Sequence, residues 1–128
     1  MTSRKHMKLV EQAKKILSEE FGCIDVKTGH ILTVRGHHFE VDAFGVSPEG
    51  KSVVIECGHA IHDPDIISEV ADEFYILTYH GILFRWLGKG NWKKIKEYPE
   101  CRFRKKRGNS DKPTGIEINW LDKLRKVR

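Results

Sequence analysis

No apolar run in this chain of 128 residues approaches the roughly 18 residues that a membrane-spanning helix needs. The first twenty residues intersperse Arg4, Lys5, Lys8, Lys14 and Lys15 among the apolar positions, so the expectation is a cytoplasmic protein without a membrane partner. Cysteine is scarce. Cys23, Cys57 and Cys101 are odd in number and far apart, which excludes a disulfide framework and a paired zinc knuckle and leaves reduced thiols as the reading. There is no internal repeat. What is present suits a folded protein with a densely ionic surface: apolar residues make up 39% and charged residues 32%, against a usual charged share of about 25%. The length allows one domain with a single core. We expect that core over about residues 7–98, a basic arm over about 101–114, and a closing segment over 116–128 that packs Ile118, Trp120, Leu121 and Leu124.

The net charge of +5 is unevenly distributed: residues 1–84 hold 8 Lys/Arg against 13 Asp/Glu, and residues 85–128 hold 15 against 5. Taken singly, a basic cluster is a solvated face about as often as a functional one. An acidic region joined to one of net +10 also suits a protein that holds cations at one place and phosphates at another.

Hydrophobic spacing sets out the elements. Leu9, Val10, Ala13, Ile16, Leu17 and Phe21 recur at helical intervals from Met7 to Phe21, and Gly22 follows as a stop signal. At about 100° per residue Glu11 falls nearly opposite this stripe, and Glu20 falls inside it. Three short segments rich in β-branched and aromatic residues, 30–35, 39–46 and 52–57, are separated by Gly36 and by Pro48-Glu49-Gly50, and predict an antiparallel run of three strands. Asp63-Pro64 has the form of an N-cap with proline at the first helical position. Ile66, Ile67, Val70, Phe74 and Leu77 then extend a helical stripe to Gly81, although 74–79 reads equally well as a strand. Further strands are expected over 82–87 and 92–98, turned by Gly88-Lys89-Gly90-Asn91. The whole reads as an α/β (α+β) domain, a small mixed sheet flanked by helices in the order α-β-β-β-α-β.

Alternation on the second and third strands places Glu40, Asp42, Phe44 and Val46 on one face of the first, and Val54, Glu56 and Gly58 on one face of the other. Asp42 and Glu56 thus fall among apolar neighbours near the middle of the sheet. Burying an unpaired carboxylate costs several kcal/mol even after relaxation, so each requires a cation. Two acids on adjacent strands suit a shared divalent ion, Mg²⁺ or Mn²⁺, held by oxygen. The alternative is that each acid pairs with Lys or Arg on an edge strand.

The pattern of a helix, a strand carrying Val41-Asp42, a turn, a strand carrying Ile55-Glu56-Cys57-Gly58 and a further helix resembles the PD-(D/E)XK, or restriction-endonuclease-like, nuclease superfamily. Mrr-type restriction enzymes and archaeal Holliday-junction resolvases belong to it. The resemblance covers about residues 7–87. It implies a restriction-endonuclease-like core and metal-dependent hydrolysis of phosphodiesters that leaves a 5′-phosphate. It also implies metal ligation by Asp42, Glu56 and the backbone carbonyl of Cys57, with Glu20 as the acid recruited from the first helix. A homodimer is a further implication, since cutting both strands of a duplex takes two active sites.

The family places a lysine two residues after the second acid, and this chain has Gly58 there. Within sequence reach, His59, His62 and Lys51 are the substitutes, and a neutral histidine can act as a general base near pH 7. Phosphate contacts are expected from Arg102, Arg104, Lys105, Lys106 and Arg107, together with Lys93 and Lys94, to DNA more than to RNA. A zinc site from His37, His38, His59, His62 and Cys57 has spacings that fit no familiar tetrahedral finger. Trp86, Trp92 and Trp120 read as core or rim aromatics, with Trp92 also placed to touch a base. Three functions stay open: a metal-dependent nuclease, a nuclease-like domain that binds nucleic acid without cutting, and a protein-interaction module.

Overall fold

The computed structural model describes residues 4–58 and 62–102. Helix α1 (Arg4–Lys15) continues into one wider π-helical turn, Ile16–Glu20. Strands β1 (Ile24–Val34), β2 (His37–Val46) and β3 (Ser52–Cys57) follow, then the single helical turn α2 (Pro64–Ile67), strands β4 (Glu73–Leu77), β5 (Ile82–Gly88) and β6 (Asn91–Glu97), and a short 3₁₀ turn, Pro99–Cys101. All six strands form one mixed sheet in sequential order. Every neighbouring pair is antiparallel except β3 and β4, which run parallel. The fold is therefore α+β with a mixed sheet.

The apolar stripe of α1 does what its spacing predicts. Leu9, Ala13, Ile16 and Leu17 are fully buried, against Ala43, Val53, Ile55, Cys57, Tyr75, Leu77 and Leu83 of the sheet. Each large aliphatic side chain taken from water there contributes about 1.5–3 kcal/mol. Gly22 ends the helix in the left-handed region, at φ +66°, and the Cys23 N–H returns to the Leu17 carbonyl at 2.8 Å, the glycine-dependent closure seen at many helix ends. The opposite face of the sheet packs Leu32, Val41, Val54, Phe74 and Trp86 under Ile67 and Ala71. Trp92 leans on Phe74 and Trp86, with ring centroids at 6.0 and 5.0 Å, as its core-or-rim reading expects.

Two expectations need correction. The second helix is only one turn long. Asp63 caps it as expected, its carboxylate accepting the Asp65 N–H at 2.9 Å with Pro64 at the first helical position, but the apolar run beyond it is the strand β4. Phe74, Tyr75, Ile76 and Leu77 are all buried, so the run fills both faces of the sheet. A run buried on both sides carries no alternation, and periodicity alone does not separate it from a buried helix. The first strand is also longer than its apolar portion, since it begins at Ile24, and Ile24 is 64% exposed. The predicted arm and closing segment, apart from Cys101 and Arg102, lie outside the described residues.

Candidate carboxylate site

Near their hairpin, β2 and β3 pair in regular register, with Val46 opposite Ser52, Gly45 opposite Val53, Phe44 opposite Val54 and Ala43 opposite Ile55. Beyond that point carboxylates take over the hydrogen bonding. The Cys57 N–H donates to Asp42 Oδ2 at 2.8 Å, and the Asp42 N–H donates to Glu56 Oε1 at 3.3 Å. The two acids singled out in the sequence therefore meet where the backbone ladder stops.

Strict alternation does not hold there, which corrects the expected facing. Val41 packs with Leu32 and Val54 on one face, and Ala43 packs under α1 on the other. Alternation is thus broken between Val41 and Ala43. Phe44 sits with Val41, whereas Asp42 turns to α1, where its Oδ1 accepts from His6 Nε2 at 3.1 Å. Glu56 lies between Ile55 and Cys57, both of which face α1, so its own side chain belongs to the opposite face. There the His62 backbone N–H reaches it. The carboxylates approach the gap between the strands from the two faces of the sheet.

The electrostatic consequence falls on Glu56. It is only 3% exposed, and its carboxyl is pushed from 4.5 up to about 8, first by burial and then by the neighbouring charge of Asp42. Hydrogen bonds from the Asp42 and His62 backbones act in the opposite sense without cancelling the rise. The Cys57 thiol beside it is held well above its ordinary range by complete burial and by the charges of Asp42 and Glu56.

Gly58 explains itself structurally. It adopts φ +90°, and a Cβ added there would come within 3.0–3.2 Å of the Tyr79 ring and hydroxyl, while its N–H continues the parallel ladder to the Leu77 carbonyl at 2.9 Å. Backbone conformation and space both disfavour the lysine that the family pattern places there.

The other sequence candidates divide. His62 does arrive, with Nε2 donating to the Glu40 carbonyl at 2.9 Å and its ring set edge-on to Phe39. Lys51 is not brought in. It closes the hairpin, with its N–H on Ser47 Oγ at 3.1 Å, five residues from Glu56 and so about 16 Å away along the strand. Glu20 is also held elsewhere: its Oε1 accepts from Lys96 Nζ at 3.2 Å and from the Tyr98 hydroxyl at 2.9 Å. The reason is geometric, because His6 is the α1 residue at Asp42 and Glu20 lies about 20 Å further along the helix. Lys94 is paired with Glu97 at 2.6 Å and Arg102 with the same carboxylate at 3.3 Å, and Lys93 stands exposed on edge strand β6. His59, Arg104, Lys105, Lys106 and Arg107 lie outside the described residues.

His6 is the site residue that sequence reasoning missed. The signal was available, since His6 lies three residues before Leu9 and seven before Ala13, on the same helical stripe. Among the described residues no group of three or more His, Cys, Asp and Glu side chains is gathered as a metal cage. The donor set still fits a hard cation. Mg²⁺ is usually held by one or two carboxylates with water and substrate phosphate completing its shell, and the strained charge state of Glu56 beside Asp42 is what a dication relieves.

No family model and no curated protein matches this chain. Among solved structures, the crystal structure of SSO0001 is similar over 56% of this chain and 44% of that one, at 18% identity and a TM-score of 0.31. The aligned part spans under half of that protein. Likeness of this degree carries no argument about the fold or activity of this chain.

Proposed function

We propose that this domain is a divalent-cation-dependent nuclease in which Asp42 and Glu56 hold Mg²⁺ or Mn²⁺ and the substrate is a phosphodiester of DNA rather than RNA. The observation that carries the reading is the meeting of these carboxylates at the open end of β2 and β3, with the Glu56 carboxyl pushed up to about 8 beside Asp42. The element order from α1 to β4, α-β-β-β-α-β, supports a restriction-endonuclease-like core. When bound, such an ion supplies Lewis-acid stabilisation of the phosphoryl group and lowers the proton affinity of the attacking water. The chain's own residues do the rest. His6 orients Asp42 through Oδ1, and the Cys57 peptide fixes Oδ2 and offers its carbonyl at the same strand end. His62, whose backbone N–H reaches Glu56 and whose ring is held on the Glu40 carbonyl, is the residue proposed to move a proton. A homodimer would present two such sites to a duplex.

Gly58 favours a second reading. With no lysine at position 58 and one disfavoured there by φ +90° and by Tyr79, a domain that grips nucleic acid without cutting it is the alternative within the same fold. Turnover separates the two. Labelled single-stranded, duplex and branched DNA are incubated with Mg²⁺ or Mn²⁺ beside an Asp42→Ala control. Cleavage that needs the ion and is lost in Asp42→Ala is expected. Cleavage surviving in the variant, or none by the parent chain, sinks the nuclease reading.

A further inference from the structure

Of the basic residues expected to hold phosphate, three are described: Lys94 and Arg102 share Glu97, and Lys93 stands exposed. Their neighbour Lys96 holds Glu20. The cations of α1 present the opposite case. Of the eight Lys/Arg in residues 1–84, five are Arg4, Lys5, Lys8, Lys14 and Lys15 of this one helix, which carries a single acid, Glu11. All five are exposed, and no ion pair among the described residues uses any of them. Arg4 and Lys5 stand in a first turn that holds no acid, against the helix dipole, whereas Lys14 and Lys15 in the last turn complement it.

We propose that the outer face of α1 is the track for one strand of DNA, with Arg4, Lys8 and Lys15 as its phosphate contacts. The inference rests on the nuclease reading for where the strand leads, since the track runs toward Asp42. At about 100° per residue these three cations fall within ~40° of one another, on the side away from the buried stripe. They form a row about 16 Å long, over which one strand of a B-form duplex carries about five phosphates. A groove of about 560 Å³ between α1 and the Pro99–Cys101 turn is lined by Arg4, Lys8 and Lys15, by the acids Glu11 and Glu100, and by Met7, Gln12 and Cys101. A second groove of about 590 Å³ shares Met7 and Glu11 as walls and reaches His6, Glu40 and Asp42. Cations and carboxylates are thus connected across one turn of one helix. A single row of charge suits a single strand, and a membrane surface suits it poorly, because the helix's apolar stripe is already buried in the core and leaves only Met7 exposed among its large apolar side chains.

The test is fluorescence anisotropy of a labelled 20-nucleotide DNA, single-stranded and duplex, titrated with the full chain in EDTA at 50–200 mM salt. Removing three phosphate contacts in Arg4→Gln/Lys8→Gln/Lys15→Gln is expected to weaken binding at least tenfold and to make the log–log salt slope shallower by about 2. Thermal unfolding of that variant is expected to stay unchanged or rise. Lys93→Gln/Lys94→Gln is expected to cost less than threefold. Glu11→Gln, which removes the acid between the cations, strengthens binding. The track is judged by anisotropy in EDTA, where no cutting takes place, and the cutting site separately by cleavage in Mn²⁺. Unchanged affinity and slope in the α1 variant overturn the proposal, as does a larger loss in the β6 variant. Retention on phosphatidylserine vesicles without DNA binding overturns it equally.

Discussion

The two ends of the β2–β3 pair are closed by different chemistry. At the hairpin the backbone closes itself: the Ser47 N–H donates to the Lys51 carbonyl at 2.8 Å, and Val46 sits opposite Ser52 in regular register. At the far end Asp42 and Glu56 carboxylates receive peptide N–H groups instead. A peptide carbonyl carries no proton and no charge over the physiological range. A carboxyl group carries one or the other according to pH, so one end of the same pair of strands is inert to pH and the other responds to it. Four substitutions break or sharpen that contrast.

The largest effect is on turnover. Asp42→Ala removes the proposed ion ligand and the acceptor of the Cys57 N–H together, and on the nuclease reading cleavage is expected to fall by about 10³ or more, in line with the several kcal/mol of transition-state stabilisation a metal site supplies. Single-turnover assays in Mn²⁺ read it. Next is the pH dependence of stability. The unfolded chain loses the Glu56 proton near 4.5 and the folded chain near about 8. Between those values the folded state binds more protons, and stability falls as pH rises. A rise of this size bounds the loss at about 5 kcal/mol, at ~1.4 kcal/mol per unit. Urea unfolding of the parent and of Glu56→Gln between pH 5 and 8 is expected to show the loss in the parent and not in the variant. Equal slopes in both would remove Glu56 as its source.

Gly58→Lys follows. It places a side chain at φ +90° against the Tyr79 ring, and a destabilisation of about 2–4 kcal/mol is expected from strain and overpacking. It should not restore a family-type active site, and a variant that is both stable and faster would show that the glycine is no obstacle. The smallest effect belongs to the inert end. Lys51→Ala is expected to stay within about 0.5 kcal/mol of the parent and to leave cleavage unchanged, because that side chain is remote from both carboxylates.

Sequence reasoning located much of this framework for reasons that are local. The stripe Leu9, Ala13, Ile16 and Leu17, the stop at Gly22 and the cap at Asp63-Pro64 depend on residues within a few positions of one another, and the structure shows each of them. The sheet was harder wherever burial is two-sided. Phe74 to Leu77 reads as helix or strand because only its parallel neighbour β3 supplies the reason for burial on both faces. Glu20 was misplaced because a residue on a buried stripe is not thereby beside a chosen partner. Its distance along α1 decides, and it went to Lys96 and Tyr98. His6 was overlooked for the converse reason, since a polar residue on an apolar stripe has no visible partner until the helix is laid across the sheet.

By itself, then, the sequence determined the helix stripe, the strands around Asp42 and Glu56, the absence of a lysine at position 58, and the gathering of cations on α1. These follow from residue type and short-range spacing. Tertiary structure alone decided that alternation breaks between Val41 and Ala43, that the two acids come to the strand gap from opposite faces, that Tyr79 closes over Gly58, and that among the described residues α1's Lys and Arg side chains make no ion pair while Lys94, Lys96 and Arg102 of the basic half are paired. Each of those depends on which distant segments share a boundary, and burial, charge and hydrogen-bond supply at a boundary are properties of the packed chain.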